Sequence, residues 1–372
     1  MKTVLFVATV SDFMHFEIND MKILQDRGYQ VEVACNIDDY NGFLEPLGVV
    51  IHDIPFARSP FSGTNVKAYK LLEELIRNGH YDFIHCHTPV GGVLTRMINF
   101  FRKRDYKLIY TAHGFHFYKG SPIINWLLFY PIEWLLSFNT DILITITHED
   151  YLRAKSHFHA KKIEYIPGVG VDLNRFNDNG YRRVDRTEYR KRLGVDSDSF
   201  LLLSVGELND NKNHESIIKA LALSDDDKIS YVIAGEGDKH EYLQNLIEEL
   251  NLSERVKLLG QRDDIPALLS VSDLFCHPSF REGLSVAVME AMSVSLPIIC
   301  SEIRGNVDLI STIDEFNPLF RPTDIERIKE LIVGLKNNKD VLEKLGNSNS
   351  SNVESFSLDI VSSRMKEIYD SI

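Results

Sequence analysis

Two glutamates, Glu282 and Glu290, stand eight positions apart in PSFREGLSVAVMEAMSVSLP, Pro278–Pro297. The first follows an apolar run, Asp273–His277, that reads as a buried parallel strand. The second lies in a window with helical apolar spacing, Val286–Ser293. A helix starting near Leu284 carries Glu290 almost two turns in and leaves the amides of Gly283, Leu284 and Ser285 at its N-terminus. Unpaired donors and the positive end of the helix dipole make such a turn a seat for phosphate or another oxygen-rich ligand. Paired glutamates alone are more often solvated than functional, so their surroundings decide. Lys212 lies in SVGELNDNKNH, Ser204–His214, a strand-to-helix loop. A lysine there can neutralise a diphosphate as a compact point charge, and Gly206 lets the backbone approach. His113 follows the strand-like Leu108–Ala112 within YTAHGFHFYKG, Tyr110–Gly120. An imidazole at a strand end can donate to a sugar hydroxyl or stabilise charge near a transferred group. His85 and His87, in HCHTP, share one strand face as metal ligands can, but no third ligand at a suitable spacing is evident.

The flanking P-S, E-G-L and E-A-M make the glutamate segment resemble the E-x7-E signature of retaining glycosyltransferases of family 4, which have the two-domain GT-B fold. The Ser204–His214 loop is similar to that family's G-R-L-x-x-x-K element, and GQRDDIPALLSVSD, Gly260–Asp273, to the segment whose backbone holds the nucleobase. YTAHGFHFYKG resembles the acceptor-side H-G of bacterial capsule and exopolysaccharide glycosyltransferases. The resemblance covers essentially the whole chain and implies a nucleotide-sugar donor, taken as a UDP-sugar, and a lipid-linked glycan acceptor on a polyprenyl diphosphate. It implies that Lys212 and the amides of Gly283, Leu284 and Ser285 hold the departing diphosphate, with Gly206 allowing close approach. Glu290 then holds the ribose, Glu282 the donor sugar and Arg262 the base. His113, with Gly114, His116 and Lys119, serves the acceptor side. Attack is expected on the front face, assisted by the leaving phosphate, with no covalent nucleophile, catalytic metal or cofactor. Two positions depart from the family pattern. Glu207 stands where many relatives have arginine, so the missing positive charge comes from Arg304 or Arg281, or Glu207 has a structural purpose. Ser295 replaces a usual glycine, which bears on local packing.

Length and composition agree with two domains. At 372 residues the chain exceeds the ordinary single-core size. Its 44% hydrophobic and 26% charged residues are those of a globular protein in water. The net charge of −13 is uneven, because residues 1–175 are almost neutral and hold ten of the thirteen histidines. Only that half is suited to approach an anionic membrane closely, although ordinary solvation of an acidic half explains the asymmetry equally well. No basic stripe with interleaved aromatics points to nucleic acid. The four cysteines sit singly in apolar runs, as buried thiols in a reducing compartment do. The opening KTVLFVATV enters a strand pattern without a secretory signal, so a cytoplasmic location is expected, peripheral on a membrane at most.

Apolar β-branched runs alternate with helical patterns twice over, predicting an α/β chain of two facing Rossmann-like, doubly wound domains with a cleft between them. The expected strands run from Val4–Ala8 to Ile163–Ile166 in the first half and from Phe200–Val205 to Pro297–Cys300 in the second. Helices are expected at His15–Gln25, Ala68–Arg77, Glu215–Ala222, Glu241–Leu250 and Ile325–Lys336. PGVGVD, Pro167–Asp172, is the linker candidate. The resemblance then implies an acceptor domain at 1–170, with 355–372 crossing back to it as in relatives, and a nucleotide-sugar domain at 171–354. NSNSSN near the C-terminus reads as low complexity. Residues 121–138 contain both tryptophans, Trp126 and Trp134. Ser121 is placed to cap a helix with Pro122 in its first turn, while Glu133 and the short length argue against spanning a bilayer. That helix is either interfacial on a membrane or buried between domains. The residues also leave open a sugar-nucleotide epimerase or hydrolase of related fold, and a non-catalytic membrane-associated partner. Oligomeric state has no signature here.

Overall fold

The computed structural model describes residues 2–98, 100, 103–177, 184–224 and 226–372. It divides into two compact units, Met1–Val169 with Asp359–Ile372, and Gly170–Leu358. The first is built on β1 (Lys2–Val10), β2 (Tyr29–Asn36), β3 (Val50–Asp53), β4 (Phe83–His87), β5 (Lys107–Ala112), β6 (Ile142–Thr145) and β7 (Lys162–Tyr165). All pairings are parallel, in the order β3-β2-β1-β4-β5-β6-β7. Every residue of β4 is buried, as in a sheet covered on both faces. Alternation puts Ile84 and Cys86 into a core with Leu5, Val7, Leu72, Leu108 and Phe117. His85 and His87 consequently point to the opposite face.

The second unit holds β8 (Phe200–Val205), β9 (Ile229–Ala234), β10 (Val256–Leu258), β11 (Leu274–His277), β12 (Ile298–Ser301) and β13 (Leu319–Phe320). They too are parallel, in the order β10-β9-β8-β11-β12-β13. In each sheet the order reverses once, between β1 and β4 and between β8 and β11. The connections leave in opposite directions there, which opens a crevice at the carboxyl ends of those strands.

Several local expectations are corrected. Residues 15–25 are not one helix: a 3-10 stretch, Ser11–Glu17, precedes an α-helix, Ile18–Asp26. The two-residue β13 is too short to leave a periodic signal. NSNSSN is helical, inside Lys339–Val353, and Asn349 is buried there, donating to the Leu296 carbonyl at 2.8 Å. That tertiary bond outweighs the weak helix propensity of serine and asparagine. Ser295 has φ +58°. Its N–H donates to the Met292 carbonyl at 3.0 Å and the Leu296 N–H to that of Ala291 at 3.1 Å, the paired bonds of a Schellman turn ending the helix Val286–Ser293. The turn's left-handed residue is ordinarily glycine, which is the physical meaning of this departure from the family pattern.

Candidate functional site

In the second unit the chemistry gathers at the β8/β11 reversal. Gly206 leaves β8, and the stem of Lys212 lies across it, 3.1 Å from where a Cβ would stand. The Lys212 ammonium reaches Oε1 of Glu282 at 2.8 Å. The same oxygen lies 3.1 Å from Nε2 of His277, the last residue of β11. Burial by itself raises the Glu282 carboxyl, but the His277 and Lys212 hydrogen bonds and charges outweigh it and hold the group well below the usual carboxylate range. Lys212 is fixed from its own loop, its N–H donating to Asn209 Oδ1 at 3.0 Å. The helix carrying Glu290 begins at Val286, not near Leu284, with Ser285 as its cap, so Glu290 is little more than one turn in. Among the described residues, none of the Gly283, Leu284 and Ser285 amides donates to a protein acceptor. Three amides without a protein acceptor, one ammonium and a helix N-terminus thus belong to the β8/β11 reversal, a constellation suited to an oxygen-rich anion.

Gly305 makes this turn possible. At φ +85°, a Cβ there would stand 1.5 Å from the Gly283 carbonyl oxygen, so only glycine lets the two backbones meet. Its neighbour Arg304 is buried and donates to the Glu282 carbonyl at 3.2 Å. Arg281 is exposed, its carbonyl accepting from Asn211. Glu207 is exposed and accepts from Asn209 Nδ2 at 2.9 Å within its own loop. Of the two candidate replacement cations, Arg304 is therefore the one built into the turn. Glu290 is mostly buried, which raises its carboxyl pKa, and Arg175 partly offsets this from 3.5 Å. Arg262 is engaged elsewhere: its fork grips both oxygens of Asp264, at 2.8 and 2.6 Å, leaving the guanidinium face for a ring. His277 and Arg175 were not anticipated. His277 carried the same signal as His113, a histidine at a strand's carboxyl end, whereas Arg175 meets Glu290 only through the fold.

In the first unit the corresponding reversal holds a buried polar cluster. Glu17 follows β1, His87 ends β4 and His113 follows β5. Glu17 Oε1 lies 3.3 Å from His87 Nδ1 and 3.7 Å from His113 Nε2, and the two ring nitrogens are 3.3 Å apart. His85 and His87 do share one strand face, their ring centroids 4.1 Å apart, but their polar partners differ. His85 Nδ1 faces the Tyr369 hydroxyl at 3.0 Å and Nε2 the Thr111 hydroxyl at 2.8 Å. Tyr369, from the C-terminal helix Leu358–Asp370, donates to Asp20 at 2.8 Å. Burial pushes the Asp20 carboxyl up to about 7 and that of Glu17 well above its ordinary value, with Asp20 adding to the latter. Burial pushes His85 and His113 down to about 3, with the His113 charge adding for His85. Neutral rings over acids that favour their protons make a low-charge cluster.

The three donors Glu17, His87 and His113 lie close enough to surround a cation. A metal on His87 Nδ1, however, would force the proton onto Nε2, which is buried without a hydrogen-bond partner. The set fits a hydrogen-bonded cluster better. It is held beside a strained turn, for Thr88 has φ +61°, rare for a β-branched residue, with its hydroxyl bonded to Thr9. Gly114 and His116 continue from His113 into an apolar wall, where the His116 ring meets Phe129 at 4.6 Å. Lys119 is exposed.

The wall is the helix Ile123–Ser137. Ser121 does not cap it; Pro122 occupies the cap position, and the Ser121 hydroxyl accepts from the Tyr118 N–H. Nor is the helix buried. Trp126, Phe129 and Tyr130 pack inward, and Glu133 points the same way, gripped by both arms of Arg96 at 2.8 and 3.0 Å. Outward stand Ile123, 77% exposed, Leu127, 66%, and Phe138, 53%, with Ile124, Leu128 and Leu135. The helix hides its single charge and shows apolar side chains to the outside. Among the described residues, no helix is long and apolar enough to cross a membrane.

Comparison with known proteins gives two family profiles, described as glycosyltransferase family 4 over residues 21–175 and glycosyl transferases group 1 over 185–351. The chain is 36% identical to the putative glycosyltransferase EpsD of Bacillus subtilis, across 99% of this chain and 96% of that one. It is 29% identical to an Escherichia coli UDP-Gal:alpha-D-GlcNAc-diphosphoundecaprenol alpha-1,3-galactosyltransferase, across 82% and 79% respectively. The fold is similar to that of Anabaena HepE crystallised with UDP and glucose, with a TM-score of 0.80, 20% identity and full coverage of both chains.

Proposed function

The chain belongs to glycosyltransferase family 4 and is a glycosyltransferase; from that premise we propose that it transfers a sugar, with retention of configuration, from a UDP-sugar to a polyprenyl-diphosphate-linked glycan in capsule or exopolysaccharide synthesis. The observation that carries the reading is the anion seat of the second unit, where Lys212 is bonded to Glu282 and the amides of residues 283–285, before the helix that carries Glu290, have no protein acceptor among the described residues. There Lys212, the amides and Arg304 take the diphosphate as negative charge develops on it. Glu290 takes the ribose hydroxyls and Glu282 the donor sugar. The first unit supplies the acceptor half, with His113 offering a neutral imidazole as hydrogen-bond donor or acceptor. With no carboxylate assigned as a covalent nucleophile, retention follows from front-face attack in which the leaving phosphate accepts the acceptor's proton.

The donor and acceptor classes are supported by the E. coli relative, whose name specifies UDP-galactose and a diphosphoundecaprenol-linked sugar. The apolar outward face of Ile123–Ser137 supports peripheral contact with the membrane in which such an acceptor resides. The test is a thermal-shift screen against UDP, GDP, ADP, TDP and their sugar conjugates, followed by transfer to a lipid-linked acceptor with the anomeric configuration read by NMR. A ligand at a hundred times its Kd adds about 2.7 kcal/mol of stability. Stabilisation by UDP compounds that Glu290→Ala abolishes supports the reading; indifference to every nucleotide sinks it. Turnover of the donor without an acceptor would instead favour an epimerase or hydrolase.

A further inference from the structure

The first unit contains a cavity of about 420 Å³ whose position and chemistry the transfer reaction does not by itself require. Its walls include Val90, Val93, Leu94, Phe117, Phe129 and Ile132, and its volume is that of a ligand site, not a packing defect. Glu133 also lines it, but its charge is answered by the Arg96 fork, so the interior is apolar and close to neutral. Two features say what kind of molecule would enter. Ile132, on the helix Ile123–Ser137, lines the cavity and is itself 43% exposed, and Phe61, 79% exposed, extends the apolar lining to the outside. Arg58 also lines the cavity, is exposed, and among the described residues has no carboxylate partner. An apolar hollow with an unpaired cation matches an amphiphile with an apolar chain and an anionic head. Gly114, next to His113, lines the same cavity, so a ligand held there lies beside the residues assigned to the acceptor.

We propose that this cavity binds the first isoprene units of the acceptor's polyprenyl chain, with Arg58 on its phosphate. The proposal rests on the lipid-linked acceptor reading and adds to it a discrete site for the lipid, separate from adsorption of the outward helix face to a bilayer. In effect the enzyme extracts part of the chain from the membrane, and apolar burial offsets the loss of lipid contacts.

The test uses the full chain and farnesyl phosphate below its aggregation threshold, with binding read from tryptophan fluorescence. Trp126 contacts Phe117 in the cavity wall at 5.6 Å between ring centroids. Saturable binding is expected, with inorganic phosphate a poor competitor. Val93→Trp, which fills the cavity, should weaken binding at least about tenfold, or roughly the burial of two methylene groups. Arg58→Ala, at an exposed site that leaves folding intact, should weaken farnesyl phosphate but not farnesol. Leu127→Ser, on the outward face, should reduce flotation with anionic liposomes and leave farnesyl phosphate binding unchanged. Absence of saturable binding to the parent protein, or equal binding by Val93→Trp and Arg58→Ala, overturns the cavity assignment. If the enzyme nevertheless transfers sugar to a lipid-linked acceptor, the site alone has failed and the functional reading stands. If it uses only lipid-free acceptors and binds no farnesyl phosphate, both fail.

Discussion

The sharpest consequence of the second-unit geometry concerns charge, because Lys212 is paired with Glu282 before any diphosphate arrives. Their separation is 2.8 Å and both side chains are largely buried, at 20% and 14% exposure. Two unit charges 4 Å apart at an effective dielectric of 20 attract by about 4 kcal/mol, so the carboxylate holds the ammonium firmly. Glu282→Gln keeps an oxygen for Lys212 and His277 but removes that charge. It should leave UDP affinity unchanged or raise it by up to about tenfold, while transfer falls by about 10²–10³ as the sugar hydroxyls lose a charged acceptor. Lys212→Met should do the reverse to binding. Loss of one charge-assisted bond, worth about 1.5–3 kcal/mol, predicts UDP binding weaker by about 10- to 150-fold. In the double variant the affinity should approach that of Lys212→Met alone, since the glutamate acts on UDP only through the lysine. Isothermal titration of UDP into the three variants, beside kcat and KM for the parent, measures each term. If Glu282→Gln loses UDP affinity as severely as Lys212→Met, the carboxylate belongs to the diphosphate site and this division of roles is wrong.

Ser295→Gly relieves a left-handed serine that costs about 1–2 kcal/mol and restores part of that cost as chain entropy, so urea denaturation should show a gain of about 0.5–1 kcal/mol; a loss would refute the strain argument. Acid should destabilise the protein below pH 6.5. His85, His113 and His214 have folded pKa values of about 3, so the unfolded chain binds their protons first, and His87 shifts the same way. Asp20, raised to about 7, and Glu17 oppose this as pH falls towards the unfolded values of ordinary carboxyls. The lowered histidines outnumber the two raised carboxyls, so stability should fall as the pH drops from 6.5 to 5, checked by urea midpoints, and a flat profile would refute it. Arg175→Ala should raise the Glu290 carboxyl further and weaken UDP binding more at pH 5.5 than at pH 8 by titration calorimetry; an equal loss at both would show that Arg175 acts only by contact.

The fold was readable because buried parallel strands and amphipathic helices carry different periods, and long connections between successive strands leave few topologies. Boundaries were less so, for tertiary contacts set them. The Ser285 cap moved the start of the helix before Glu290, and the 3-10 stretch Ser11–Glu17 displaced the expected helix start at His15. Asn349 shows the same principle in reverse, a polar run made helical by a single buried bond to Leu296.

Site residues divide along a similar line. Lys212, Glu282 and His113 could be singled out as candidates because each sits in a contiguous motif beside a strand end, where local sequence and position in the sheet coincide. Glu17, Asp20 and Tyr369 were not, because their partners are distant in sequence: Tyr369 reaches His85 across 284 positions and Asp20 across 349. Burial supplies the chemistry of that cluster, and a sequence states burial only indirectly. An acid near the N-terminus looks solvated until the strand order brings β1 beside β4 and the final helix closes over it. The same reasoning inverts Glu133. In the sequence it argues only against spanning a bilayer, but once Arg96 faces it from the helix Pro89–Met97, the charge turns inward and the apolar side chains are left outside. The inward turn of that charge therefore relies on one buried ion pair, beside the inward packing of Trp126, Phe129 and Tyr130. Arg96→Met should strand the Glu133 carboxylate and cost about 3–5 kcal/mol, whereas Arg96→Met with Glu133→Leu should recover much of that loss in urea denaturation. Failure of the second substitution to rescue the first would show that the loss does not come from a stranded Glu133 carboxylate.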